Sequence, residues 1–148
     1  LMAPLSGAMG YGTPAAVATQ LRNPASKVVC MVGDGGFLMT GNEMITAVER
    51  KLPIVFILSN NRGYASIRIH QEREYPGRHK GTTLFNPDFT ALAAAFGMKS
   101  LRIDREDDVD AVIEQAMRGD EPIFLEVMTS LDIVLPRNSQ ARLEKDVA

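Results

Sequence analysis

Four short apolar runs, and the amphipathic stretches between them, set the first expectations for this chain. Lys27 to Val32 (KVVCMV) is largely apolar and β-branched, and Ile54 to Leu58 (IVFIL) has the same character. Neither run alternates with polar residues, so each reads as a strand covered on both faces. Met98 to Ile103 and Pro122 to Met128 (PIFLEVM) are further strand candidates. Helical spacing fills the gaps. Thr13 and Pro14 read as an N-cap and first helical position, AAVATQL follows as a good helix former, and Asn23-Pro24 closes that helix. Met44, Ile45, Val48 and Leu52 place an amphipathic helix over about 41–51, stopped by Pro53. Asn86-Pro87-Asp88 starts a helix with the stripe Phe89, Leu92, Ala93 and Phe96, and Gly97 takes its C′ position. Asp107 and Asp108 suit the positive end of a last helix, whose stripe is Val109, Val112, Ile113, Ala116 and Met117.

Strands and helices alternate. The pattern therefore predicts one α/β domain over residues 1–148, a three-layer parallel sheet with helices on both faces. The segment 62–85 is the least regular. It opens like a helix, but Pro76-Gly77 and Gly81 argue for a loop, and long irregular segments in compact domains tend to be functional covers or mobile. The charged tail from Pro136 reads as a helix that docks elsewhere or as a disordered end.

Composition adds mainly exclusions. With 148 residues, 45% of them hydrophobic and 23% charged, the chain has the makings of an ordinary soluble domain with a sizeable core. A net charge of -2 gives no reason to expect nucleic acid or an anionic membrane surface. No apolar stretch is long enough to span a bilayer, and the N-terminus lacks the basic start of a signal peptide. Cys30, inside VVCMV, reads as a small buried hydrophobe of a reducing compartment, which points to the cytoplasm. Because the sequence begins at Leu1, already within a glycine-rich stretch, a longer parent protein is expected.

The candidate chemistry lies at two predicted strand ends. Open α/β sheets bind ligands beyond the carboxyl ends of their strands. After KVVCMV comes Gly33-Asp34-Gly35-Gly36, and after IVFIL comes Ser59-Asn60-Asn61. The glycines leave backbone N–H groups unobstructed ahead of a helix, which suits a phosphate. Asp34 offers a hard anionic oxygen, Asn61 a neutral one, and a backbone carbonyl just beyond Asn61 could offer a third. With two diphosphate oxygens and a water, these would complete the octahedron that magnesium requires. A dinucleotide GxGxxG pattern would need glycine where Leu38 stands, and no Gly-Lys-Ser/Thr end of a P-loop is present. On the glycines alone, a plain strand-to-helix turn and a polar Asn-Asn turn remain an equal reading.

The order GDG, amphipathic helix, apolar strand, NN resembles the thiamine diphosphate signature, with 27 positions from Asp34 to Asn61. The upstream PLSGAMGYGTPAA resembles the segment these enzymes place before it. The likeness covers essentially the whole chain, and is greatest to the C-terminal, diphosphate-binding domain of the acetolactate synthase-like group, which includes benzoylformate and pyruvate decarboxylases. It implies the thiamine diphosphate-binding fold. It also implies Asp34 and Asn61 as side-chain ligands of Mg2+, Gly63 as the backbone-carbonyl ligand, and Gly35 and Gly36, beside Gly33, as N–H donors to the diphosphate. Gly7 would accept a hydrogen bond from the aminopyrimidine, and Met9 would be the apolar wedge that bends the cofactor. On its own, Met9 would read as an ordinary core methionine. Ser66 and Ile67 fall where relatives face the thiazolium ring. Pyruvate decarboxylases carry a glutamate at the place of Ile67, so its absence leans towards carboligation.

The implied activity is decarboxylation of a 2-oxo acid followed by carboligation or release, with the cofactor as electron sink. The resemblance further implies a homodimer or homotetramer, in which a separate pyrimidine-binding domain of a partner subunit supplies a glutamate. No segment here resembles that domain, so the chain alone is expected to hold half a site and to be inactive. A non-catalytic assembly module of the same fold, and the small subunit of a two-chain 2-oxo acid decarboxylase, are the alternative readings. Arg68, His70, Arg73, Arg78, His79 and Lys80 could attract a substrate carboxylate. Interleaved with Glu72 and Glu74, they read first as a solvated, salt-bridged face. The two histidines lack zinc-ligand spacing, and Glu43 and Glu49 read as structural or solvated.

Overall fold

All four strands of the computed structural model run parallel, and residues 1–105 and 109–131 are described. β1 (Val29–Gly33), β2 (Val55–Asn60), β3 (Lys99–Ile103) and β4 (Ile123–Met128) lie in the order β1-β2-β4-β3. The helices are α1 (Gly12–Arg22), α2 (Asp34–Thr40), α3 (Met44–Glu49), α4 (Ala65–Glu74), α5 (Phe89–Ala95) and α6 (Val109–Arg118). The chain steps outward from β1 to β2 to β3, then turns back to insert β4. If every crossover is right-handed, that reversal moves the last helix to the opposite face.

Packing shows the same division. Phe37 of α2, Met44 and Ala47 of α3, and Phe89 and Ala93 of α5 pack with Phe56, Leu58 and Phe124 of the sheet. Val112, Ile113 and Ala116 of α6 pack with Val55, Ile57 and Leu125 from the other face. The three-layer architecture is as expected. The Phe37 ring meets Phe89 edge-on at 5.7 Å and Phe124 at 5.3 Å, which ties α2 to α5 and β4.

Several local expectations change. α1 starts at Gly12, not behind a Thr13 cap: Ala15 N–H donates to the Tyr11 carbonyl at 3.1 Å, and Thr13 is buried inside the first turn. The helix expected over 41–51 is α3, shorter at Met44–Glu49, and a separate helix that was not expected precedes it. α2 begins at Asp34 directly after β1, and a 3-10 turn over Gly41–Glu43 joins it to α3. A Cβ at Gly41 would come within 2.6 Å of the Phe37 ring, so the break sits where the chain bends closely around that side chain. The segment 62–85 does open as a helix, α4 over residues 65–74, and turns irregular at Pro76-Gly77. α4 buries only Ala65, so it carried no apolar stripe to be read. The remainder returns to its own base, where Tyr64 N–H donates to Thr82 O at 2.9 Å and Leu84 N–H to Arg62 O at 2.8 Å. Asp107, Asp108 and the tail from Pro136 lie outside the described residues.

Cys30 is buried, and desolvation pushes its thiol up to about 11, which keeps it neutral at ordinary pH. Among the described residues no helix is long and apolar enough to cross a membrane. Two helices end in the same hydrogen-bonded motif. After α5, Gly97 N–H donates to Ala94 O and Met98 N–H to Ala93 O; after α3, Lys51 and Leu52 repeat the pattern onto Val48 and Ala47. Gly97 has φ +80 and Lys51 φ 50. A Cβ at Gly97 would meet only Val48 at 3.8 Å, so backbone strain is the whole cost of adding one. Gly97→Ala is expected to destabilise by about 1 kcal/mol, read as a lower urea midpoint with an unchanged slope.

Candidate cofactor site

β1 and β2 are in register, with Gly33 opposite Ser59, so Asp34 and the Asn60-Asn61 pair leave the sheet side by side at its carboxyl edge. A cleft of about 1000 Å³ runs along β1 to this edge. It gathers Met9, Gly33, Asp34, Gly35, Gly36, Asn61, Gly63 and Ser66. Gly7 and Ile67 do not line it. Gly7, at φ +64, is exposed in a turn closed by its N–H to Pro4 O at 3.2 Å. Ile67 is exposed in the first turn of α4. The N-terminal glycines reach the site through Gly10, whose carbonyl accepts from Thr40 Oγ1 at 2.5 Å.

Two of the motif's glycines have a packing reason as well. A Cβ on Gly35 would lie 2.3 Å from the Tyr64 ring, and one on Gly63 would lie 2.9 Å from Thr82 O. A Cβ on Gly33 would meet nothing within 4 Å. The Asn60–Gly63 turn is built from two successive side-chain caps. Asn60 Oδ1 accepts from Arg62 N–H at 3.2 Å and Asn61 Oδ1 from Gly63 N–H at 3.0 Å, with Arg62 at φ 57.

Asp34 is 2% exposed. Its Oδ1 accepts from Gly35 N–H at 2.8 Å and its Oδ2 from Asn86 Nδ2 at 2.7 Å. Asn86 Nδ2 also donates to Asn60 Oδ1 at 2.8 Å, and Asn60 Nδ2 donates to the buried Glu126 Oε1 at 2.7 Å. Arg102 Nε donates to Glu126 Oε2 at 2.7 Å, and Arg102 Nη2 to Asp88 Oδ1 at 3.0 Å. The bond to Glu126 raises the Arg102 pKa above its ordinary value. Asp88 caps α5 by accepting from Ala91 N–H, and its bonds from Thr90 and Ala91 hold its carboxyl below the usual range.

Asn60, Asn86 and Glu126 were not singled out from sequence as site residues. The available signal was Glu126, the sole charge in PIFLEVM: a carboxylate in a strand covered on both faces needs partners.

The donor set suits a hard cation. Asp34, Asn61 and Gly63 supply only oxygen, and among the described residues no three His, Cys, Asp or Glu side chains group as a metal site of their own. Asn86 Oδ1 is buried without a hydrogen-bond partner, an acceptor of the kind that a hydrated cation's water donates to. The residues present fit a magnesium diphosphate.

The family pattern described as "Thiamine pyrophosphate enzyme, C-terminal TPP binding domain" matches residues 1–127. The chain is 39% identical over 122 residues to acetolactate synthase isozyme 2 large subunit of Escherichia coli, covering 82% of this chain and 22% of that protein. It is 36% identical over 131 residues to the mitochondrial acetolactate synthase catalytic subunit of Saccharomyces cerevisiae, covering 88% and 19%. Among solved structures, the thiamine diphosphate-dependent 4-hydroxybenzoylformate decarboxylase of Rhodococcus jostii RHA1 superposes with a TM-score of 0.81 at 31% identity, over 86% of this chain and 24% of that one. The chain thus spans about a fifth to a quarter of the length of these relatives.

The contact of Gly35 with Tyr64 can be measured directly. Gly35→Ala is expected to cost about 1–3 kcal/mol of stability through overpacking. In a Tyr64→Ala background most of that cost should vanish, a coupling readable from the four urea midpoints of the double-mutant cycle.

Proposed function

Because the chain belongs to the thiamine pyrophosphate enzymes, as their C-terminal TPP-binding domain, we propose that it anchors the cofactor's diphosphate through Mg2+ in a longer, acetolactate synthase-like 2-oxo acid carboligase or decarboxylase. The observation that carries this is the gathering of Asp34, Asn61 and Gly63 on one cleft at adjacent strand ends. When bound, thiamine diphosphate supplies the electron sink for decarboxylation.

In this reading Asp34 gives the cation its anionic ligand, while the Asn61 amide and the Gly63 carbonyl give neutral ones. The Gly35 N–H is already engaged by Asp34, so Gly36 offers the first N–H to the diphosphate. Met9, 43% exposed on the cleft, is the apolar wedge beneath the cofactor. A partner subunit's pyrimidine-binding domain, in a cytoplasmic homodimer or homotetramer, covers the cleft, supplies the glutamate, and brings Gly7 and Ile67 into the site. Ile67 favours coupling of the decarboxylated unit to a second carbonyl compound, because it leaves that position without a proton donor.

In the full-length enzyme carrying this domain, Asp34→Ala should weaken Mg2+-dependent thiamine diphosphate binding by about 100-fold or more in calorimetry, exceeding the loss typical of an outer-shell change. Unchanged affinity would reject the metal role. With pyruvate as substrate, the coupled product should exceed free acetaldehyde; the reverse ratio would reject carboligation while leaving the cofactor assignment standing.

A further inference from the structure

The geometry points to Asn86 as a positioning residue that aims the Asp34 carboxylate at the cation, its own orientation dictated by Glu126 through Asn60. This rests on the metal role proposed for Asp34. The case is one of donors and acceptors. Arg102 can only donate, and an ionised Glu126 can only accept. Asn60 must therefore turn its Nδ2 towards Glu126, at 2.7 Å, and its Oδ1 the other way, where it also accepts from Arg62 N–H at 3.2 Å. That oxygen and Asp34 Oδ2 are both acceptors, and the Asn86 Nδ2 lies 2.8 Å from one and 2.7 Å from the other. Flipping the Asn86 amide would set an oxygen against two oxygens. Its orientation is thus fixed from Arg102 inward, and it holds although Asn86 Oδ1 is left buried without a partner.

The contacts also form a ring. Asn86 and Asp88 flank Pro87, whose φ is fixed, and Arg102 grips both Glu126 and Asp88. One Asp34 oxygen is therefore referenced to β2, β3, β4 and the start of α5 together. Mg2+ demands near-ideal octahedral geometry, whereas Ca2+ tolerates irregular sites. A carboxylate released from this ring should lose Mg2+ more than Ca2+.

The test titrates Mg2+ and Ca2+ separately into the full-length protein at saturating thiamine diphosphate, and reads metal affinity instead of turnover. Asn86→Ala should weaken Mg2+ binding by about 10–100-fold and Ca2+ binding by distinctly less. Glu126→Gln, which swaps one acceptor oxygen for a donor, should shift the Mg2+/Ca2+ ratio in the same direction. Asn86→Ala takes the donor from the buried Asp34 Oδ2, so its metal-free thermal midpoint should fall, and the Mg2+/Ca2+ ratio is the readout that a merely structural role would not move. Equal loss of both metals, or an unchanged ratio in Asn86→Ala, would overturn the positioning role. Asn86→Ala decides by itself if Glu126→Gln does not fold. If Asp34→Ala binds Mg2+ as well as the unaltered protein does, the metal reading falls and this one with it. If Asp34 is required and the Asn86→Ala ratio is intact, only the positioning role fails.

Discussion

In-register parallel pairing of β1 with β2 is the constraint on which the site depends. Gly33 stands opposite Ser59, so the two loops leave at the same height, and Asp34 and the Asn60-Asn61 pair stand at adjacent strand ends although 26 and 27 positions separate them in the chain. The chemistry does not set that register; the core does. Phe56 and Leu58 face α2, α3 and α5, while Val55 and Ile57 face α6. A slip of one residue would exchange these sets between faces and leave both packed clusters mismatched. Apolar patterning several ångströms below the edge thus places the polar groups at it.

The same alternation divides the labour of the asparagine pair. Successive residues at a strand end turn to different sides. Asn60, 3% exposed, faces inward to Glu126 and Asn86, whereas Asn61 lies on the cleft and caps Gly63. One amide is committed to holding the site and the other is available to a ligand. The doublet is two tools, not a repeated one.

How much of this was legible in the sequence follows from what each feature depends on. The four strands, the sheet's direction and the Gly97 helix end rest on local pattern or on one residue's backbone freedom, and they were readable. The Lys51 helix end uses the same geometry without glycine, so no residue type announced it. α2 was not legible either, since Gly33-Asp34-Gly35-Gly36 reads as a turn and the helix is held by the packing of Phe37 against Phe89 and Phe124. Asp34 and Asn61 could be singled out as candidates because a motif carries them. Asn86 and Glu126 were not, since they meet the motif only across the sheet, at sequence separations of 52 from Asp34 and 66 from Asn60.

Glu126 sharpens the question of what a buried charge is for. Its side chain is 2% exposed, while that of Arg102 is 40% exposed, so the carboxylate bears nearly all the desolvation. Replacing a buried ion pair by apolar residues of similar volume is often neutral or stabilising. A strand that already carries Phe124 and Leu125 in its core offers ready surroundings for such a change. Stability alone therefore gives a weak reason for Glu126. Direction gives a better one: an apolar side chain would leave only the 3.2 Å bond from Arg62 N–H to orient the Asn60 amide, and with it Asn86. An acceptor-only group pinned by an arginine fixes that direction. The polarity established at Arg102 then reaches Asp34 through two amides, the second of which, Asn86, donates directly to Asp34 Oδ2.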